Sequence, residues 1–343
     1  GKVPSTLKDY CRVVDQWLLV AHQQGWDEFL DHLDLEEGQR RTLFYLGYEL
    51  TVHAVQARAL RGKLSALRWF HVKNLRQSPF GKDRMPAVNE FLANLEKENG
   101  PPAQKLPTSI LILLIVYEML DTSSFDHKII GTALVTGFWW LLRSSEYLRE
   151  DGGIFDPGRA ITWGDIQVRA KDLTGHVRIL PLHEAPAAYA KGLTLEFTLR
   201  LFSSKNSLMT CTRSVAAVEG SEVCPIKAWC SLIEATMARK GELKPSDSPF
   251  EKVDGNILTR GEVSDILKEA SAAVGIPKAR VASHSLRRGG ASAYKAAGCT
   301  EKALQRFGRW TSDAYEAYVF PHSDILQAAQ QKAAKHIPRF ELR

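Results

Sequence analysis

Along the first stretch of the chain, apolar residues recur at three-and-four spacing. Leu7, Tyr10, Cys11, Val14, Trp17 and Leu18 fall on one side of a 3.6-residue period, which predicts an amphipathic helix with one buried stripe. The same period runs through the first hundred residues and predicts an all-helical unit over residues 1–98. It breaks at KENGPPAQKLPT (97–108), where Gly100, Pro101, Pro102 and Pro107 stand among polar residues. Proline has no amide hydrogen and clashes with the preceding turn, so residues 99–108 are predicted as a linker. The two longest apolar runs follow, at 109–117 and 129–142. Both fall short of the roughly 20 residues needed to cross a bilayer, and they are predicted as buried core helices; no membrane association is expected.

The period then changes. Leu193, Leu195, Phe197, Leu199 and Leu201 alternate with Thr194, Glu196, Thr198 and Arg200, the pattern of a half-buried strand. A second strand is predicted at 208–215. The residues between them, Ser203, Ser204, Lys205, Asn206 and Ser207, have turn chemistry, so the pair is predicted as a hairpin with Lys205 at its tip. Short strands at 161–168 and 176–180 would complete a small sheet. Helices resume after Cys224 and Pro225, and SDILQAAQQKAAKH (323–336) predicts an amphipathic tail helix. The expected fold is therefore mostly α with a small antiparallel β-sheet: a helical unit at 1–98, and an α+β unit at 109–343 with its tail from about 323.

Composition narrows the partners. A chain of 343 residues is long enough for two folded units, and 45 basic against 39 acidic residues leave a formal charge of +6, which suits a polyanion and equally suits many ordinary proteins. The local distribution says more. Residues 58–84 carry eight basic side chains and one acid, Asp83, interleaved with Leu60, Leu64, Leu67, Trp69 and Phe70. A solvated charged helix is the ordinary reading. The missing counter-charge gives phosphate an equal claim, with Arg58, Arg61, Lys63, Arg68, Lys73 and Arg76 as candidate DNA contacts. Cys11, Cys211, Cys224, Cys230 and Cys299 form an odd, scattered set without a Cys-x-x-Cys pair. Neither a disulfide framework nor a zinc site is expected, and a reducing intracellular compartment fits. No metal and no cofactor are expected.

The candidate chemistry lies at Ser283-His284-Ser285-Leu286-Arg287-Arg288-Gly289-Gly290, ahead of an alanine-rich stretch that should stop at Gly298. With Ser283 as N-cap, His284 and Arg287 share a face of the first helical turn, where the helix end already favours an anion. Arginine offers a fixed fork to two phosphate oxygens, and histidine exchanges a proton near neutral pH. Among ten histidines about one His-x-x-Arg is expected by chance, and a second copy does occur at His336-Ile337-Pro338-Arg339. Pro338 spoils that copy as a helix, and no tyrosine follows it. The first copy is followed by Gly308-Arg309-Trp310, then by a Thr-Ser-Asp start signal, Tyr315, Tyr318 and Pro321.

The order Arg143 with Glu146 in LLRSSEYL, Lys205, His284-x-x-Arg287, Trp310 and Tyr318 resembles the active-site set of the tyrosine recombinase and integrase family. GRWTSDAYEAY and HSLRRGG, with a Cys-Pro between the lysine and histidine boxes, are most similar to eukaryotic transposon recombinases of the Crypton and DIRS type. The resemblance covers residues 106–322 and, more loosely, the TVHAVQARALRGKLSALRWFH stretch as part of a helical core-binding domain. It implies a two-domain clamp on double-stranded DNA, hinged near Pro101, and a Tyr318 hydroxyl that attacks a backbone phosphate to form a 3′-phosphotyrosyl link. Arg143 and Arg287 would stabilise the phosphate oxygens, and Lys205 would protonate the leaving 5′-oxygen. His284 would assist at the tyrosine, Trp310 would donate an indole N–H or only pack, and Glu146 would support the cradle. Arg288 joins the DNA contacts. The gap from Trp310 to Tyr318 is one residue shorter than in bacterial and phage members, which keeps Tyr315 as a reserve nucleophile. The resemblance also implies a dimer on each site, a tetramer in the synapse joined through the tail, and a nuclear location. An inactive DNA-binding descendant and a type IB topoisomerase are the competing expectations.

Overall fold

The structure, a computed structural model, describes residues 4–80, 84–100, 105–202, 210–218 and 220–310. The chain divides into two compact units, Gly1–Ala103 and Gln104–Arg343. Lys205, Tyr315, Tyr318 and the expected tail helix at 323–336 lie outside the described residues.

The first unit is helical: α1 (Pro4–Gln23), α2 (Leu35–Thr51), α3 (Ala57–Lys73) and α4 (Pro86–Glu98). Asp34 caps α2 by accepting the Glu37 amide, and Pro86 opens α4 where no amide hydrogen is needed. The core joins Trp17 and Val20 of α1, Tyr45 and Leu46 of α2, Leu60 and Leu67 of α3, and Val88 and Leu92 of α4. The buried stripe of α1 runs through Val13, Val14 and Trp17, while Cys11, expected within it, is exposed. His71 is fully buried. It contacts the Leu67 carbonyl through Nδ1 (2.8 Å) and accepts the Leu30 amide at Nε2 (2.9 Å), which requires a neutral ring with its proton on Nδ1.

The second unit begins with α5 (Ile110–Met119) and α6 (Phe125–Trp139). Helix α6 is buried almost all round, with Ile129, Leu134, Val135 and Phe138 inaccessible, which explains why its sequence shows no polar face. Helix α5 departs from the expected buried helix. Ile112, Leu113 and Val116 face the core, but Ile110, Leu111 and Met119 are 40 %, 57 % and 50 % exposed, because only one side of α5 packs on its neighbours.

Four strands follow: β1 (Ile166–Lys171), β2 (Val177–Leu180), β3 (Thr194–Phe202) and β4 (Thr210–Ala216), with the short helix α7 (Ala185–Ala190) between β2 and β3. The sheet order is β2-β1-β3-β4, antiparallel throughout. Strands β3 and β4 pair antiparallel from Glu196 with Ala216 to Phe202 with Thr210, as the predicted hairpin requires. The first strand starts later than the predicted 161–168. Thr162 to Asp165 form a tight turn in which the Asp165 carboxylate accepts the Thr162 amide (2.9 Å) and hydroxyl (2.8 Å), so that segment cannot extend. The inner face of the sheet, with Val168, Leu195, Phe197 and Leu199, packs on Trp229 of α8 (Pro225–Lys240). Then come α9 (Arg260–Ala273), α10 (His284–Ala296) and α11 (Glu301–Gly308). Among the described residues no helix is long and apolar enough to cross a membrane.

Candidate functional site

The site is assembled around the first turns of α10. Ser283 occupies the predicted capping position but does not cap: its backbone is already helical and its hydroxyl makes no capping bond. The Ser283 amide instead donates to Ser264 Oγ of α9 (2.9 Å). Two glycines then let α10 press onto its surroundings. A Cβ on Gly289 would overlap the Thr108 carbonyl and one on Gly290 the Phe138 carbonyl, so backbone meets backbone at both points. The Thr108 amide donates to the Ser285 carbonyl (2.9 Å) along the same seam. As a result, every residue from Ser285 to Ser292 is buried.

That seam sends Arg287 into the interior, with no exposed surface. Its Nη1 donates to the Leu141 carbonyl (2.5 Å) and its Nη2 to the Gly308 carbonyl, while its Cζ lies 4.6 Å from the Trp310 ring centre. Trp310 is 9 % exposed and covers Gly308 so closely that no side chain fits there. Trp310 therefore has a packing role against Arg287. Arg288, a predicted DNA contact, is 7 % exposed. It is turned inward because this half of α10 has no open face, so it is not available to a duplex in this structure.

Leu141, in left-handed backbone (φ 51°), ends the run from α6, and Arg143 follows at the head of a short turn, Ser144–Glu146. Glu146 closes that turn by accepting the Arg143 amide at Oε2 (2.7 Å) and a guanidinium N–H of Arg143 at Oε1 (3.1 Å). The same carboxylate receives two bonds from Arg309, from Nη1 to Oε1 (2.8 Å) and from Nη2 to Oε2 (2.7 Å). Burial works against charge on Glu146, but Arg309, the Arg143 amide and Arg287 outweigh it and hold its pKa below the usual value, so it is ionised. Glu146 is thus more than an i,i+3 partner of Arg143.

His284 senses the same group of cations. Burial first, then Arg287, Arg288 and Arg143, push its pKa down to about 4, so the imidazole is neutral at physiological pH. The structure accordingly brings together Arg143, Glu146, His284, Arg287 and Trp310, from three separate stretches of the chain. Two residues escaped the sequence reading. Arg309 stands beside Trp310 and was passed over for it. Arg213 of β4 donates to the carbonyls of Arg306 (2.6 Å) and Phe307 (2.6 Å), tying the sheet to the end of α11. A lone arginine in a strand carries no motif that could have announced this.

In the first unit, the basic helix α3 has acidic partners that its own stretch of sequence lacks. Lys63 is buried and lies 2.7 Å from Glu49 of α2, which has no exposed surface, and it donates to Gln16 Oε1 (3.0 Å). It belongs to the core, which removes it from the DNA contacts. Arg61 forms a fork with Glu96 of α4 (2.6 and 3.0 Å), and Arg76 sits 4.7 Å from the Phe29 ring centre and 4.0 Å from Asp31. Arg58 and Arg68 are exposed, and Lys73 lies over Trp69 at 4.9 Å, leaving a narrower basic strip than predicted.

Set beside known proteins, the chain matches no family model and no curated protein. It is similar to the solved structure of the XerH site-specific recombinase bound to its palindromic difH substrate in a post-cleavage complex. There the TM-score is 0.55 at 12 % identity, over 95 % of this chain and 79 % of that one. It also aligns with the XerA recombinase (TM-score 0.43, 16 % identity, 99 % and 94 % covered). The lambda integrase dimer bound to a COC′ core site aligns as well (0.49, 13 %, 100 % and 76 %). The XerH likeness shows the fold: helices with a small antiparallel sheet, as in the tyrosine recombinase catalytic domain.

Proposed function

We propose that this chain is a site-specific DNA recombinase that cuts and rejoins strands through a tyrosine–phosphate intermediate. The observation that carries the reading is the convergence of Arg143 and Arg287 on one buried carboxylate, Glu146, with His284 beside the same two arginines, within a fold similar to that of the XerH recombinase. Arg143, whose side chain is 36 % exposed, is the guanidinium placed to meet a phosphate oxygen, while Arg287, wholly buried and bonded to the Leu141 and Gly308 carbonyls, adds its charge from the interior. Such preorganised cations in a partly dry site stabilise charge that develops on phosphate oxygens far better than mobile water does.

In this reading the Tyr318 oxygen attacks a backbone phosphorus. A P–O bond to tyrosine forms, the bond to the 5′-oxygen breaks, and Lys205 gives that oxygen its proton. Neutral His284 is in the protonation state that can accept the tyrosine proton. The 5′-hydroxyl of a second strand then reverses the step. The phosphodiester energy stays in the covalent link, so no nucleotide co-substrate is consumed, and the arginines supply the positive charge a metal would otherwise bring. Arg58, Arg68 and Lys73 would touch phosphates, which position the duplex without reading its sequence. The resemblance of GRWTSDAYEAY to Crypton and DIRS enzymes supports action on a mobile element in the nucleus, with dimers on each site joined through residues 323–336 into a tetramer.

Two duplexes of different length, both carrying a sequence the protein selects from a random pool, test the reading. Recombinant strands combining the two lengths are expected. Relaxation of supercoiled DNA without exchange would favour a type IB topoisomerase, and binding with neither would leave an inactive DNA-binding protein.

A further inference from the structure

Arg309 takes up left-handed backbone at the end of α11 (φ 61°, ψ 42°). That conformation costs a residue with a side chain about 1 kcal/mol and glycine nothing, and helices commonly place glycine there. This chain puts its glycine one position earlier, under the Trp310 ring, and keeps a long side chain at the strained position. The side chain is well used. Arg309 and Glu146 are 11 % and 8 % exposed and meet as a two-bond fork, whereas Arg143, whose side chain is 36 % exposed, reaches the same carboxylate with one guanidinium N–H at 3.1 Å. Two arginines thus share one buried carboxylate, and Arg309 holds the stronger geometry.

We propose that Arg309 is a positioning residue that occupies Glu146 and so keeps the Arg143 guanidinium available to a phosphate oxygen. The inference rests on the phosphoryl-transfer reading above. With both arginines present the trio carries one net positive charge, and that charge resides on the more exposed Arg143. Without Arg309, Glu146 turns its whole carboxylate to Arg143, the pair becomes neutral, and the cradle loses a cation although Arg143 is still there. The Arg143 amide bond to Glu146 explains why the carboxylate cannot simply swing away.

The test is single-turnover cleavage of a nicked duplex bound at saturation. One substrate carries an ordinary scissile phosphodiester and the other a methylphosphonate, whose lost charge makes a phosphate-binding arginine dispensable. Arg309→Ala is expected to slow phosphodiester cleavage about 100-fold, the scale of losing one aimed electrostatic partner, with DNA affinity unchanged. Arg309→Lys, which keeps the charge but not the fork, falls between. Arg309→Ala combined with Glu146→Gln should recover about tenfold over Arg309→Ala alone, because the amide oxygen still accepts the Arg143 N–H but captures no guanidinium. On methylphosphonate, Arg309→Ala and Arg143→Ala should both come within a few-fold of wild type. A purely structural role would slow both substrates alike and leave the double variant no faster, and either result overturns the inference while the recombinase reading stands. A wild-type protein that cleaves no DNA it binds overturns both together.

Discussion

Replacing Lys63 by Met separates a core lysine from a DNA-binding one. Its ammonium lies 2.7 Å from Glu49, with side-chain exposures of 11 % and 0 %. Removing one partner of such a pair strands a carboxylate away from water, at a cost of about 3–5 kcal/mol. The Tyr45 hydroxyl also faces Glu49, but it is neutral, so the ammonium is the counter-charge on which the buried carboxylate depends. Replacing both residues, Lys63→Met with Glu49→Leu, should therefore restore most of the stability, since two apolar side chains of similar size offset the lost charges. Hydrogen exchange of α2 and α3 amides in the full chain reads the change directly. Lys63→Met is expected to lower the opening free energy there by about 3 kcal/mol, and the double variant to return it to within about 1 kcal/mol of wild type. DNA affinity of the double variant, measured across a salt series, should match wild type. A stable Lys63→Met protein with weakened DNA binding would refute the assignment of Lys63 to the core.

Arg68 is exposed on the same helix, and Arg68→Ala should weaken binding about equally for all sequences and reduce the slope of log affinity against log salt by about 1, which a titration at several salt concentrations checks. Gly290→Ala must force α10 off the Phe138 carbonyl and should cost about 3 kcal/mol or more. By contrast Gly62→Ala, in the open middle of α3, should stabilise by about 0.5–1 kcal/mol; denaturant melts compare the two. His284 has a folded pKa near 4 against an ordinary value of 6.5, so the unfolded chain binds more protons between those limits. Stability should be complete above pH 6.5 and decline towards pH 4, by at most about 3 kcal/mol from this group, and His284→Gln should flatten that part of the melting-temperature profile.

Much of the fold is legible in local pattern. The alternation through Leu195, Phe197 and Leu199 gives β3 and its hairpin partner because one face of that sheet lies on Trp229 and the other meets solvent. Failures arise where a distant element decides. A run of apolar residues says nothing about whether a neighbour covers each side, so α5 reads as a core helix and is half exposed. Thr162 and Ile166 suit a strand equally well, and only the carboxylate of Asp165 turns the chain between them. Counting acids near α3 missed Glu49 and Glu96, which arrive from other helices. At the site, Arg143, Glu146, His284 and Arg287 were readable from their order, but the inward course of Arg288 follows from two glycine contacts that sequence alone does not locate. Arg309 was hidden by its neighbour: a tryptophan in a catalytic motif draws attention from the arginine whose backbone strain reveals it.

The most direct measurement traps the covalent intermediate. The protein is incubated with a nicked suicide duplex carrying a sequence it selects, in EDTA and without nucleotide, and the adduct is resolved on a denaturing gel. Its nucleotide-bearing peptide is then identified by mass spectrometry. The expected result is one adduct, linked through Tyr318, absent in Tyr318→Phe and present in Tyr315→Phe. Linkage through Tyr315 would move the nucleophile, and no adduct on DNA that the protein demonstrably binds would contradict the account.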